Sequence, residues 1–585
     1  MHQVSSASAD VSSPEFDCMV MIFKAIICIV ALVIFKNKLC ISHINAKKIK
    51  SILPIVIFAS VFDGISYMLQ LIGAESLPAS VLYPFITGGS IILTSFAGVA
   101  FLKEKLTIRQ WMAVTACFVG TLLFLWERKD MRKSVFNIMD FGAVPNVAEL
   151  QTDKIQAAID KCFESGGGKI IVPEGMFICG GIRLRSNCTL YLKTGAILKG
   201  SRNPDDYFGY LSDKVEPLSE NEITNKVWRR TELDKVKDYT FMSRLGSRWN
   251  NALIKAVNAE NVAIIGESGS ILDGSDCFDE KGEENYRGPH CINMFYCKNV
   301  TFKGYTVKDS ANWAHALFYC DNILADSINV LAGHDGIHMS VCENVKIQNC
   351  GFYTGDDCVA GFANVNVAVR NCELNSACSA MRFGGTNAFI EKCHIYGPCK
   401  YLFRGSLSDE EKRNGTKPNV DGHRNNMLSV FTYYSDFSMP IEHQPENIII
   451  SDCKIDYADR FLHYNYSGNE MWQQNRPLKS IRFENIAATD ISMPLTAYGD
   501  KKTPITLEMD NVSISFRKGF ESIDFMHVCN YDLIMLKNLE LKNYKGNALL
   551  KKWSDGNIII DNLKCDLDKE KIEVAATEKF HAEPI

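Results

Sequence analysis

The chain has 585 residues and 21 cysteines, yet no two cysteines stand in the C-x-x-C spacing of a zinc site. The odd number argues against a closed disulfide framework, and a domain of this size does not need one. There is no basic block of the kind that binds nucleic acid, and net charge is −5. No basic segment precedes the first apolar stretch, and residues 1–18 are polar and acidic, which excludes an ordinary signal peptide. No metal-ligand or cofactor motif stands out. The length exceeds what one compact core accommodates, so at least two domains are expected.

What is present is unevenly distributed. Through Ser134 there are 13 lysines and arginines against 8 acids, a balance of +5, which leaves −10 to the remainder. Four apolar stretches lie in the basic part: Met19 to Phe35, Ile52 to Ile72, Pro78 to Phe101 and Gln110 to Trp126. The third runs 24 residues without a charge, long enough to span a bilayer with tilt. About four transmembrane helices are therefore expected over 19–127, after a polar tail at 1–18 and before a linker at 128–135. Lysines and arginines in the first and third connections place those loops in the cytoplasm and the following domain outside. Arg128, Lys129, Arg132 and Lys133 pull the other way. Asp63 is an acid inside an apolar stretch, a position associated with transport. The run from Ser76 to Trp111, with its K-E-K-L turn, resembles the EamA-type drug/metabolite transporters. That family has about ten helices, so the resemblance covers part of a transporter.

From Phe136 to about residue 575, before a short tail at 576–585, the character is different. Thr152 to Phe163 places Ile155, Ala158, Ile159 and Cys162 on one helical face, with Thr152 as the expected N-cap. After Gly166-Gly167-Gly168 the chain repeats. An asparagine followed by alternating apolar residues recurs at Asn299, Asn322, Asn344, Asn366 and Asn387, in steps of 23, 22, 22 and 21 residues. Looser copies stand at Asn261, Asn447, Asn511 and Asn557. Short β-branched strands at this period, with no helices between them, predict an all-β parallel β-helix, a solenoid capped by the Thr152 helix. The fixed leucines of a leucine-rich repeat are missing, and a propeller blade would be twice as long. Cys350, Cys372 and Cys393 follow the same period and are expected to stack as small apolar residues in the core. Glu280 to Gly288 and Lys400 to Gln444 break the period and read as long loops.

Stacking brings distant residues together. Asp335 and Asp356 lie 21 residues apart, so Asp335, Asp356 and Asp357 fall on neighbouring coils. Counting one coil back and two forward adds Trp313, Cys378 and Arg404 to the same expected groove, with Arg382 at its edge and His334 and His338 flanking Asp335. Three close carboxylates cannot all ionise easily, which separates a proton donor from a base. That is the requirement for cleaving a glycosidic bond. Arginines suit a carboxylated sugar, and Trp313 would offer a flat face to a ring. The same acids could alternatively hold calcium.

At these residues the chain resembles glycoside hydrolase family 28, the polygalacturonases and rhamnogalacturonan hydrolases. The resemblance runs from about Asp140 to Asn485. It includes D-F-G-A-V, the segment G-G-I-R-L-R-S-N-C-T-L-Y-L, N-W-A-H, Gly333-His334-Asp335 and Asp356-Asp357. It implies a right-handed β-helix and an inverting hydrolase of acidic, pectin-like polysaccharides that needs no cofactor. In that family Asp356 would be the general acid, and Asp335 and Asp357 would activate water. The family's H-G would fall near Cys378-Ser379 and its R-I-K near Arg404, and neither is kept. Ser376 to Met381 is closer to the small-residue segment of rhamnogalacturonan hydrolases. A calcium-dependent lyase on the same fold, and a non-catalytic glycan-binding β-helix fused to a transporter fragment, are the alternatives.

Overall fold

The computed structural model describes residues 107–108, 110–115, 134–207, 248–282, 287–415, 422–435, 443–474, 476–546, 548–565 and 572–575. The chain divides into two compact units, Met1–Asp130 and Met131–Ile585. In the first, residues 110–115 are helical, and Thr107 and Gln110 cap the start by bonding each other's backbone. No helix among the described residues is long and apolar enough to cross a membrane. The four expected spans lie almost wholly outside the described residues.

The second unit is built from one motif. A coil consists of three short strands, for example Ile337–Ser340, Glu343–Gln348 and Gly351–Thr354. Each strand pairs in parallel with its counterpart in the coils before and after. Ala316 pairs with His338 and Ile323 with Val345, while Val330 pairs with Phe352. The register offset equals the sequence repeat, so one period is one turn of a parallel β-helix.

Two ladders explain the period. The first is the asparagine series. Asn299, Asn322, Asn344, Asn366 and Asn387 all adopt positive φ near 55–57°, the left-handed conformation asparagine tolerates, and this turns the chain between faces. Asn322 Nδ2 donates to Asn299 Oδ1 at 2.7 Å, Asn366 to Asn344 at 3.1 Å and Asn387 to Asn366 at 3.2 Å. Asn261 and Asn447 extend the series. Beyond Asn447 the same register position passes to Ser480, Thr506, Leu533 and then Asn557, so Asn557 keeps the register of the series. Asn511 does not belong to it: it donates to Asn485, which donates to Asp452 at the next corner of the coil. The second ladder is cysteine. Cys350, Cys372, Cys393 and Cys453 are buried free thiols, and each Sγ faces the carbonyl two residues earlier, at 3.0–3.3 Å. A small, weakly donating side chain fits these crowded corners.

Residues Thr152–Glu164 form the expected helix, with Ile155, Ala158, Ile159 and Cys162 fully buried against the first coil. Its N-cap is Gln151 rather than Thr152, because the Thr152 hydroxyl instead accepts a bond from Gly180 N at 2.8 Å. The segment expected as one loop from Lys400 to Gln444 contains a strand, Met427–Tyr433, that continues the stack between Ser379–Glu391 and Ala458–Asn465.

Replacing Asn366 by Ala removes two ladder bonds and places a Cβ-bearing residue without a local acceptor in the left-handed region. We expect a loss of about 1–2 kcal/mol in urea unfolding, of which Asn366→Gly recovers about half. Equal stability of the Ala variant and the parent would show that the ladder does not set the corner.

Candidate functional site

The strand face that carries the acids is read from register. Ile337 pairs with Val359, and Val359 with Met381, so Asp335, Asp357 and Ser379 share one column, preceded by Trp313 and followed by Ser429. Asp356 lies in the adjacent column with His334 and Cys378. His338, Ala360, Arg382, Thr432 and His463 form a third column on the same face. The strands place Asp335, Asp356 and Asp357 so that one carboxylate oxygen of each lies within 4.8 Å of the others. Gly336 serves close packing: a Cβ there would meet Phe352 Cδ1 at 2.5 Å and Cys358 O at 2.6 Å.

The three acids differ in surroundings. Asp335 and Asp357 are buried, at 4% and 2% exposure, whereas Asp356 is half-buried. Burial first, then the Asp356 charge, hold the Asp335 carboxyl well above the usual carboxylate range; Arg287 and Arg382 oppose this. Burial and the charges of Asp356 and Asp335 raise Asp357 likewise, against Arg382. Hydrogen-bond donors act in the other direction. His338 Nδ1 lies 2.8 Å from Asp335 Oδ2, and burial pushes this imidazole well below its ordinary range, so it stays neutral and donates there. Asp357 N donates to Asp335 Oδ1 at 3.3 Å, and Ser379 N to Asp357 Oδ1 at 3.0 Å. The guanidinium of Arg382 lies 4.0 Å from Asp357 Oδ2 and over the rings of Tyr434 and Trp472, at 4.6 and 5.8 Å. Burial and mutual repulsion thus make the cluster retain a proton, and the donors stabilise charge on Asp335 and Asp357.

Other expected site residues are placed differently. Trp313 is buried, with one face stacked on His338 at 3.6 Å and 3° and its edge against Trp249, so it has no open platform for a sugar. His334 is buried and lies 6.2 Å edge-on from Phe403. Arg404 does not continue the acid column. Its guanidinium bonds Asp276 Oδ1 at 2.7 Å and Asp276 O at 2.9 Å, while its backbone N bonds Gly333 O. Counting coils failed there because 50 residues separate Ser379 from its partner Ser429. Cys378 sits beside Asp356 in column, and Arg424 Nη2 lies 3.1 Å from its Sγ. Sequence reasoning missed Tyr434, Trp472, Ser379 and Arg287. Only the strand Met427–Tyr433, hidden in an apparent loop, could have signalled the first.

Comparison with known proteins agrees with both resemblances read from sequence. The family model described as Glycosyl hydrolases family 28 matches residues 235–377, and that of the EamA-like transporter family matches residues 3–126. A probable polygalacturonase of Vitis vinifera is 27% identical over 235 residues, covering 38% of this chain and 43% of that protein. An exo-poly-alpha-D-galacturonosidase of Dickeya chrysanthemi is 26% identical over 255 residues, covering 38% and 41%. The chain thus spans about two fifths of the length of these two curated relatives. Among solved structures, the hyperthermoactive exopolygalacturonase of Thermotoga maritima superposes with a TM-score of 0.50 at 18% identity, covering 71% of this chain and 95% of that one. The second unit therefore has the β-helix fold of that protein.

The raised carboxyls carry a stability consequence. A folded-state pKa above the unfolded value means the folded protein binds more protons, so stability falls as pH rises from about 4. Asp357→Asn keeps the Ser379 bond and removes one buried charge. We expect it to be more stable than the parent at pH 7 by about 1 kcal/mol in thermal unfolding, with the gain shrinking toward pH 4. A gain independent of pH, or a loss at pH 7, would contradict this electrostatic account.

Proposed function

We propose that the second unit is a glycoside hydrolase acting on acidic, pectin-like polysaccharides, galacturonan or rhamnogalacturonan. The observation that carries this is the cluster of three carboxylates within 4.8 Å, two of them buried and held by donors. The polygalacturonase relatives and the family 28 match support the same reaction class. Asp356 is the most accessible of the three, and its carboxylate has no hydrogen-bond donor among the described residues. It is the group able to carry the shared proton to a glycosidic oxygen. Asp335 and Asp357, whose charged form is favoured by His338, Ser379 N and Arg382 against the effect of burial, orient and deprotonate the water. Neutral His338 fixes the Asp335 carboxylate, and Arg382, clamped over Tyr434 and Trp472, presents its charge to a uronate carboxylate.

The spacing is shorter than the about 6.5–9.5 Å between acid and base common in inverting enzymes, and nearer the about 5–5.5 Å of retaining ones. Inversion is proposed on the resemblance to glycoside hydrolase family 28. In the same reading residues 3–126 lie in the membrane and the β-helix unit faces outside, where polymeric substrate is met.

Digestion of a panel of plant glycans is expected to release reducing ends without an ultraviolet-absorbing unsaturated uronide, and the first anomer seen by NMR is expected to be inverted. Asp356→Asn should lower kcat about a thousandfold with an intact fold. Undiminished turnover in that variant would remove Asp356 from the mechanism, while a calcium-dependent unsaturated product would establish the lyase chemistry instead. Protease added to intact cells should cut the β-helix unit; protection until lysis would place it inside.

A further inference from the structure

One pair of buried thiols is arranged unlike the corner column. Cys350, Cys372, Cys393 and Cys453 each face a carbonyl two residues earlier in the chain. Cys162 and Cys188 instead face one another, Sγ to Sγ at 3.6 Å. Both are fully buried free thiols. Cys162 lies in the last turn of the cap helix Thr152–Glu164, and Cys188 opens the strand Cys188–Leu192 of the second coil. Between them run Gly168–Val172, Gly175–Cys179 and Ile182–Arg183, the strands of the first coil. The backbone fixes the approach. Gly168 pairs with Cys188, and Gly168 N donates to Asn187 O at 3.0 Å. Gly167 leaves the helix at φ 112°, where a Cβ would meet Asn187 O at 2.5 Å, so glycine lets the two segments come this close.

The pair sits where a covalent link has most effect. A terminal coil has a neighbour on one side only, so a solenoid opens from its ends. The cap helix is held there by Ile155, Ala158, Ile159 and Cys162 and by a few side-chain bonds. Gln156 accepts from Arg183 N at 2.7 Å and donates to Arg183 O at 3.2 Å, and Asp160 accepts from Arg185 Nε at 3.1 Å. Cys162 and Cys188 are 26 residues apart, so joining them closes a loop that contains the whole first coil. Such a loop restricts the opened state, in which helix and first coil would otherwise swing free.

We propose that Cys162 and Cys188 are a disulfide site, at which oxidation ties the cap helix to the second coil and encloses the first coil between them. The sulfurs move together by about 1.5 Å to reach a bond of about 2.05 Å. The oxidant is a disulfide, either a small molecule or a protein. One cysteine thiolate attacks it, forming a mixed disulfide and releasing one thiol. The second cysteine then displaces the remaining half, forming the Sγ–Sγ bond and releasing the second thiol. Two protein thiols and one disulfide thus become one protein disulfide and two thiols, with both protons passing to the leaving sulfurs. Neither sulfur is exposed, so exchange takes place while the helix is undocked, during folding or a transient opening. Once the helix docks, the closed bond is out of reach of reductants. The site is independent of the acid cluster and of what the groove binds.

The test uses the full chain, purified in detergent and reduced. It is then equilibrated just below its melting temperature with glutathione buffers from reduced to oxidised, so that the cap opens and recloses. Free thiols are alkylated in denaturant and the peptides mapped by mass spectrometry. In the oxidised buffer, peptides linked through Cys162 and Cys188 are expected in at least about nine-tenths of chains. The β-helix unit of the linked chain should melt about 3 °C or more above that of the reduced chain. Under native conditions the link should survive a thiol reductant at least about tenfold longer than in denaturant. Cys162→Ala should abolish both the linked peptides and the redox dependence of melting. The comparison of oxidised and reduced wild-type chain decides the matter even where that variant does not fold. No linked peptide in the oxidised buffer, pairing of either cysteine with a different partner, or equal melting temperatures for the linked and reduced chains would each overturn the clamp.

Discussion

The parallel backbone ladder between successive coils is the constraint on which the second unit depends. Each strand hydrogen-bonds to its equivalent one period away, so every side chain acquires neighbours of its own kind about 4.8 Å above and below. Apolar positions become the continuous core of Val300, Ile323, Val345 and Val367. Asparagines become a chain of amide bonds at the corners, and cysteines become a column of buried thiols. The same rule places Asp335 one strand spacing from Asp357. A fold that stacks like on like makes an acid cluster easy to build and electrostatically costly to keep.

How the cluster is tolerated follows from what surrounds it. Burial raises Asp335 and Asp357, and the charge of Asp356 adds to this in both. The compensating groups come from the next columns: the neutral imidazole of His338, the backbone N–H of Ser379 and the guanidinium of Arg382. None of them neutralises the cluster completely. Burial and repulsion of this kind work against folding stability and leave the carboxyls close enough to share a proton. The stacked pair Trp313 and His338 belongs to this support, since the indole face holds the imidazole that holds Asp335.

Much of this was legible in the residues. The spacing of Asn299 to Asn387 specifies one coil per period, because only asparagine combines a left-handed corner with an amide that bonds its copy above. The apolar face of Thr152–Glu164 marks the cap. Inference weakened where the period broke. Arg404 was counted into the groove on the assumption of continuous coils, yet it stands on an excursion tied to Asp276. Asn511 matched the motif yet stands at the next corner of the coil, on Asn485 and Asp452. Trp313 and His334 were on the expected coils, but alternation alone does not reveal whether an outward side chain is covered.

The sequence by itself determined the parallel β-helix of the second unit, its capping helix and the adjacency of Asp335, Asp356 and Asp357. All three follow from local periodicity, which backbone hydrogen bonding converts directly into spatial neighbours. Tertiary structure alone decided which outward residues are open, which acid has no donor among the described residues, and that Arg382 rather than Arg404 reaches the acids. Those properties depend on insertions whose length carries no period. They depend also on burial and charge contributed by residues far apart in the chain, such as Asp276 against Arg404 and Tyr434 against Arg382.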